Sequence, residues 1–185
     1  MNYRLRTATL ADAPVLQALI ARSIRALGLT DYTAEQIEAA LTGAFGLDTS
    51  LIGDQTYYVV TSNTGEIVGC GGWSRRRTLF GSDSRRDRDD AWLDPGSDCA
   101  KIRAFFIDPG HVRRGLGRML LEHCEAEARR AGFLRFELMA TLPGKRLYEA
   151  CGYVAGSLTQ YPLPDGQNIT FAPMRKDLPA PPDAA

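Results

Sequence analysis

No apolar run in the 185 residues is long enough to span a bilayer, and the opening stretch carries Arg4 and Arg6 with no signal-length apolar segment behind it. A membrane protein or an exported one is therefore not expected, and the cytoplasm is the expected location. An excess of charge of either sign is missing too. Lys plus Arg and Asp plus Glu number 22 each, so the molecule as a whole offers no general attraction to nucleic acid or to an anionic membrane. Cysteine is sparse: Cys70, Cys99, Cys124 and Cys151 lie far apart, with no Cys-x-x-Cys and no nearby His pair. That spacing suggests neither a metal site nor a disulfide framework, and free thiols are expected.

What is present is core. With 44% hydrophobic and 24% charged residues, the chain has the composition of one globular domain. Tyr3 to Arg6 alternates like an edge strand. Thr9, with Asp12 three residues on, signals a helix start, and Leu16, Ile20, Ile24 and Leu27 then recur on one helical face. Thr33 with Gln36 repeats the signal before a shorter helix over Ile37 to Leu41. Tyr57 to Val60 and Ile67 to Trp73, joined by Ser62-Asn63-Thr64-Gly65-Glu66, predict a hairpin. Gly69, Gly71 and Gly72 weaken its second strand, which suggests a bulge or a backbone that something approaches closely.

Residues 74–98 break the pattern with Arg75-Arg76-Arg77, Arg85-Arg86-Asp87-Arg88-Asp89-Asp90 and few apolar positions besides Leu79, Phe80, Trp92 and Leu93. An irregular insertion is predicted, either a lid near a site or a solvated loop, with the solvated loop slightly favoured. Order returns with a strand over Lys101 to Ile107, a helix from Gly115 to Ala131 stopped by Gly132, and a strand over Phe133 to Ala140. This strand, helix, strand unit predicts a parallel pair. A short helix near Leu147 to Cys151 and strands near Tyr153 to Tyr161 and Asn168 to Met174 follow. Residues 177–185, rich in proline, read as a flexible tail.

The junction after the strand, "FIDPGHVRRGLGRMLL", carries the chemistry. A helix N-terminus offers unpaired N–H groups and partial positive charge, so it attracts anions. Gly115 and Gly117 bare the backbone, and Arg113, Arg114 and Arg118 add cations at the rim, a set that fits a pyrophosphate. Two other phosphate motifs fail here. The dinucleotide fingerprint needs a third glycine where Leu120 stands, and a Walker loop needs Gly-Lys-Ser/Thr where the sequence offers Gly-Arg-Met.

The order of elements, with "AKIRAFFIDPGHVRRGLGRMLL" and "FLRFELMATLPGKRLYEACGY", resembles the GNAT superfamily of N-acetyltransferases. The resemblance covers about residues 3 to 176. It implies an α/β (α+β) fold over a single domain, 1–176, with a central mixed, mostly antiparallel twisted sheet of about six to seven strands flanked by helices. It implies acetyl-CoA as co-substrate and no metal. Phe105, Phe106 and Ile107 fall beside the acetyl group and pantetheine arm, and Arg113, Arg114, Gly115, Leu116, Gly117 and Arg118 around the pyrophosphate. Tyr148 falls on the tyrosine that acts as general acid toward the departing thiolate. Val112 replaces the usual Arg or Gln that opens the turn. Pro143 stands where many relatives place an Asn that bonds the cofactor arm, so that contact is absent or comes from Thr141.

The resemblance thus implies transfer of an acetyl group to a primary amine, on a small molecule or a peptide, by direct attack in a ternary complex. No general base is assigned. Asp98, His111 and Glu137 are candidates, whereas His123 reads as structural. Tyr32, Trp73, Arg75 to Arg77 and Trp92 are candidates for shaping the acceptor site, and inward-facing arginines there favour an anionic acceptor. Relatives commonly dimerise, so a homodimer is open. Two other readings remain: a non-catalytic CoA-binding sensor, and a nucleic-acid module built on the arginine clusters. Zero net charge and the interleaved Asp87, Asp89 and Asp90 argue against the second.

Overall fold

The alternation at the start of the chain becomes β1, Arg4–Thr7, which pairs antiparallel with β2, Tyr57–Thr61. β2 in turn pairs with β3, Ile67–Ser74, as the hairpin predicted from the sequence. A computed structural model describes residues 2–84 and 88–179. Its sheet continues through β4, Ala100–Ile107, and β5, Arg135–Thr141, to β8, Asn168–Asp177. Two short strands, β6 at Val154–Ala155 and β7 at Thr159–Pro162, both pair with β8. The sheet has eight strands, more than expected, because the segment expected to form one strand splits into β6 and β7. Every described pairing is antiparallel except β4 with β5.

Helices cover both faces. α1, Ala13–Leu27, and α2, Ala34–Ala40, pack on one, burying Leu16, Leu19, Ile20 and Ile37 with Tyr57, Val59 and Phe171. Each such apolar side chain is worth about 1.5–3 kcal/mol when fully buried. The helix expected from Leu10 begins as a 3-10 turn, Leu10–Asp12, in which the Asp12 carboxylate accepts the Thr9 N–H at 2.8 Å and both arms of the Arg6 guanidinium. A short helix, α3, Thr49–Gly53, precedes β2. α4, Leu116–Arg130, covers the other face with Leu116, Leu120, Leu121, Cys124 and Ala128, against Val68, Phe136 and Leu138. Gly132, at φ 94°, stops it as predicted. α5, Lys145–Glu149, follows β5.

One expectation is met and two change. The glycines of β3 admit neighbouring side chains and backbone: a Cβ on Gly71 would lie 2.8 Å from the Phe105 ring, and one on Gly72 2.6 Å from the Thr56 carbonyl. The extra residue of the bulge belongs to β4, since Cys70 and Gly72 oppose Phe106 and Arg103, with Ala104 at φ 56° between them. The insertion is tied down over its described part. Ser82 bonds the Gly43 carbonyl, Arg88 bonds Asp48 at 2.8 Å, and Leu93 is buried. The tail begins later than expected, because β8 runs through Asp177 and the Leu178 N–H donates to Leu134 at 2.8 Å. Arg85, Arg86 and Asp87 and residues 180–185 lie outside the described residues. No helix among those described is long and apolar enough to cross a membrane.

Candidate functional site

β4 and β5 pair only at their starts, Ala100 with Phe136 and Lys101 with Glu137. Beyond that point β4 stays with β3 and β5 with β8, so the sheet splits between them. Strand edges that face a gap present N–H and C=O groups ready to pair with an extended ligand. A cleft of about 710 Å³ occupies this split and is lined by Phe105, Phe106 and Ile107 of β4 and by Met139 and Thr141 of β5. It joins the face covered by α4 to the face covered by α1 and α2, for its walls include members of both hydrophobic clusters.

At the α4 end, local geometry builds an anion cradle. The Asp108 carboxylate accepts the Gly110 N–H at 2.8 Å and is clamped by Arg22 at 2.7 Å, which fixes the 3-10 turn Pro109–His111. Val112 is extended, Arg113 sits at φ 60°, and Gly115, the residue that caps α4, at φ 81°. Left-handed residues at such spacing curl successive amides toward one point, and the α4 dipole adds to them. Arg113, Gly115, Leu116, Gly117 and Arg118 all line the cleft.

Two of the assigned residues behave differently from expectation. Arg114 does not line the cleft, because its guanidinium is held elsewhere, donating to the Tyr3 hydroxyl at 3.0 Å and the Gly110 carbonyl at 3.1 Å. Gly117 was expected to bare backbone to a ligand, yet a Cβ there would meet Leu147 at 2.8 Å. Its missing side chain lets α5 dock on α4, and Gly115, whose Cβ would meet nothing within 4 Å, is the glycine that faces open space. Arg146, which the sequence reading passed over, also lines the cleft. The only signal for it was a cation beside Tyr148.

Tyr148 stands on α5 with its ring against Phe105 and Tyr153, at centroid distances of 6.2 and 5.8 Å. It lines the cleft while only 8% exposed. Burial pushes its phenol above the usual 10.0, so the hydroxyl keeps its proton at neutral pH and can donate it. Thr141 lines the cleft and its Oγ1 accepts the Gly144 N–H at 3.3 Å, which leaves the hydroxyl proton to donate. Pro143 lines it as well.

Of the candidate bases, only His111 is brought to the cleft, with Nδ1 3.1 Å from the Tyr3 hydroxyl. Asp98 caps its own loop by accepting the Asp94 N–H, and Glu137 pairs with Lys101. His123 packs edge-on against Tyr58, and burial lowers its pKa, consistent with the structural role expected of it. Cys70 and Cys124 are buried, and burial pushes both thiols up, Cys70 to about 12, so neither is a ready nucleophile.

On the α1–α2 side, Tyr32 lines the cleft. Trp73 instead sits in the core against Phe133, and Trp92 lies outside under Arg75 and Arg76, at 4.5 and 4.4 Å. Arg76 is bound to Asp54 at 2.7 Å. None of these, nor Arg77, lines the cleft; the insertion reaches it through Leu79, Phe80 and Gly81.

With this geometry in hand, the Acetyltransferase (GNAT) family matches residues 23–153. The chain belongs to that family. No curated protein matches it. Solved structures share the GNAT fold. A GCN5-related N-acetyltransferase from Rhodopseudomonas palustris superposes with a TM-score of 0.70 at 22% identity, over 96% of this chain and 97% of the other. The PaiA N-acetyltransferase of Thermoplasma acidophilum, in complex with coenzyme A, gives 0.64 at 13% identity, over 96% and 99%. YncA of Salmonella typhimurium, a putative acetyltransferase with its cofactor acetyl-CoA, gives 0.60 at 20% identity, over 100% of both chains.

Proposed function

We propose that this GNAT protein is an acetyl-CoA-dependent N-acetyltransferase acting on a primary amine. One observation carries the reading: a parted strand edge, a helix-start amide nest and a buried tyrosine all line a single cleft. The residues present fit a CoA thioester. Amides from Arg113 to Arg118 and the guanidiniums of Arg113 and Arg118 would hold the pyrophosphate, with no contribution from the Arg114 side chain. The backbone from Phe105 to Ile107 would pair with the pantetheine amides, and Thr141 can donate where Pro143 cannot.

Acetyl-CoA supplies an activated acetyl group. The amine nitrogen attacks its carbonyl carbon with a lone pair, and a C–N bond forms as the C–S bond breaks. Charge gathers on sulfur, and Tyr148 donates its hydroxyl proton there. The nitrogen sheds one proton to solvent and the tyrosine recovers one from it, so the products are an acetamide and a free thiol.

Calorimetric titration with acetyl-CoA, paired with a thiol-release assay over a panel of amines, tests this. Micromolar binding with amine-dependent thiol release supports the reading. Binding with no release for any amine would make the chain a CoA-binding domain, and no binding would leave the cleft without its assigned ligand.

A further inference from the structure

The half of the cleft that remains for an acceptor differs sharply from the half described above. It is walled by Ile24 and Leu27 of α1, by Tyr32, and by Phe45, Phe80 and Phe171. The three phenylalanines form one aromatic group, with Phe171 centred 5.8 Å from Phe45 and 5.4 Å from Phe80. Phe80 comes from the insertion, Phe45 from the segment after α2 and Phe171 from β8, so three separate parts of the chain converge on this wall. Such surfaces recognise flat apolar bodies.

Charge points the same way. Among the described residues that line the cleft there is no carboxylate, and its charged side chains are Arg103, Arg113, Arg118 and Arg146. The lining Arg103 pairs with the carboxylate of Asp48. That carboxylate is fully buried and held between two guanidiniums, 2.7 Å from Arg103 and 2.8 Å from Arg88. Arg103 is itself occupied, for it also donates to the Gly81 carbonyl at 3.1 Å. A polyamine, a basic peptide or an amino sugar brings several polar or ammonium groups, and no carboxylate on the described cleft wall compensates for their desolvation.

Resting on the acetyltransferase reading, we infer that the acceptor is a monoamine with an aromatic or bulky apolar body, bound as the uncharged amine with its ring against Phe45, Phe80 and Phe171. Specificity then lies in the apolar contact and in exclusion of additional positive charge.

The test compares 2-phenylethylamine, ethylamine, spermidine and phenylalanine as acceptors for the full chain with saturating acetyl-CoA. The expected order has 2-phenylethylamine ahead of ethylamine by about tenfold or more in kcat/KM, the scale set by burying one aromatic ring. It also stands ahead of spermidine, whose extra ammonium groups find no carboxylate on the described cleft wall, and ahead of phenylalanine, whose carboxylate finds Arg103 already paired. Phe80→Ala should cut kcat/KM for 2-phenylethylamine by a much larger factor than that for ethylamine, with acetyl-CoA affinity as the control for folding. A merely structural role for Phe80 would lower both amines alike, and that result overturns its part in recognition. Spermidine or phenylalanine as the best acceptor overturns the inference while keeping the acetyltransferase reading. Turnover of another amine but not of 2-phenylethylamine does the same, whereas turnover of none, or absence of acetyl-CoA binding, removes both.

Discussion

The Tyr32 hydroxyl donates to the Thr170 carbonyl at 2.7 Å and accepts the Leu142 N–H at 2.8 Å. One phenol therefore ties the segment after α1 to β8 and to the turn that leads from β5 into α5. Burial pushes its pKa to about 12, so it remains a donor at any working pH. Tyr32→Phe keeps the ring and deletes both bonds, leaving a part-buried N–H and carbonyl unsatisfied. The expected loss is about 1–3 kcal/mol of stability, read by denaturant unfolding. An unchanged midpoint would show that the turn does not depend on this tether.

Asp48 presents a larger stake. It is wholly buried between Arg88 and Arg103, whose side chains are only 12% and 2% exposed. Removing the carboxylate takes from the buried Arg103 its carboxylate partner, while Arg88 keeps Asp83 at 3.6 Å and Asp90 at 3.9 Å, and breaking a buried pair from one side costs about 3–5 kcal/mol. Asp48→Ala is expected to lower the melting temperature severely or to prevent folding. Arg88→Met should cost less, because Asp48 keeps Arg103. Equal losses for the two variants would argue against Asp48 as the shared centre.

Much of this architecture was legible in sequence, and what was missed has physical causes. The capping pair Thr33 and Gln36, the turn at Gly65 and the stop at Gly132 are local signals, and each is found where it was read. The turn into α4 was equally readable as a local shape, since Val112 to Arg118 is a contiguous stretch. What escaped was direction. Side-chain aim is set by partners remote in sequence: Tyr3 holds Arg114 away, Asp54 takes Arg76, and Leu147 explains Gly117. The glycines of β3 signalled a bulge or a close approach, and both are present: Phe105 and Tyr57 fill the space they leave, and the register shifts beside them; only the identity of the neighbours was hidden. The aromatic wall of the cleft was invisible because it assembles Phe45, Phe80 and Phe171 from three distant segments.

Tyr148 sets an expectation for pH. Burial raises its pKa above 10.0, so the protonated form, the one able to donate, persists across neutral and mildly alkaline conditions. Activity that depends on this proton is therefore retained as pH rises to about 10 and lost only above it. With an acceptor already uncharged at pH 7, kcat should stay flat from pH 7 to about 9. Tyr148→Phe should lower that plateau by about a hundredfold with little change in acetyl-CoA affinity. A falling limb centred below pH 9 that disappears in Tyr148→Phe would contradict the raised pKa.

Gly115 and Gly117, two residues apart, should fail in different ways. Gly115 holds φ 81° with open space beyond it, so Gly115→Ala forces a side chain into a left-handed backbone at a cost of about 1–2 kcal/mol. The strain falls on the amides of the cradle, and weaker acetyl-CoA binding is the expected effect. Gly117→Ala aims its methyl at Leu147, the neighbour of Tyr148, with only 2.8 Å to spare. The contact is the end of a flexible side chain, so α5 can shift instead of unfolding, and the shift displaces the phenol. Calorimetry and steady-state kinetics on the two variants should then separate, with acetyl-CoA affinity falling mainly in Gly115→Ala and kcat mainly in Gly117→Ala. If both variants lost affinity and neither lost kcat, the missing side chain of Gly117 would serve the ligand and not α5, and the docking of α5 on α4 would not be what positions Tyr148.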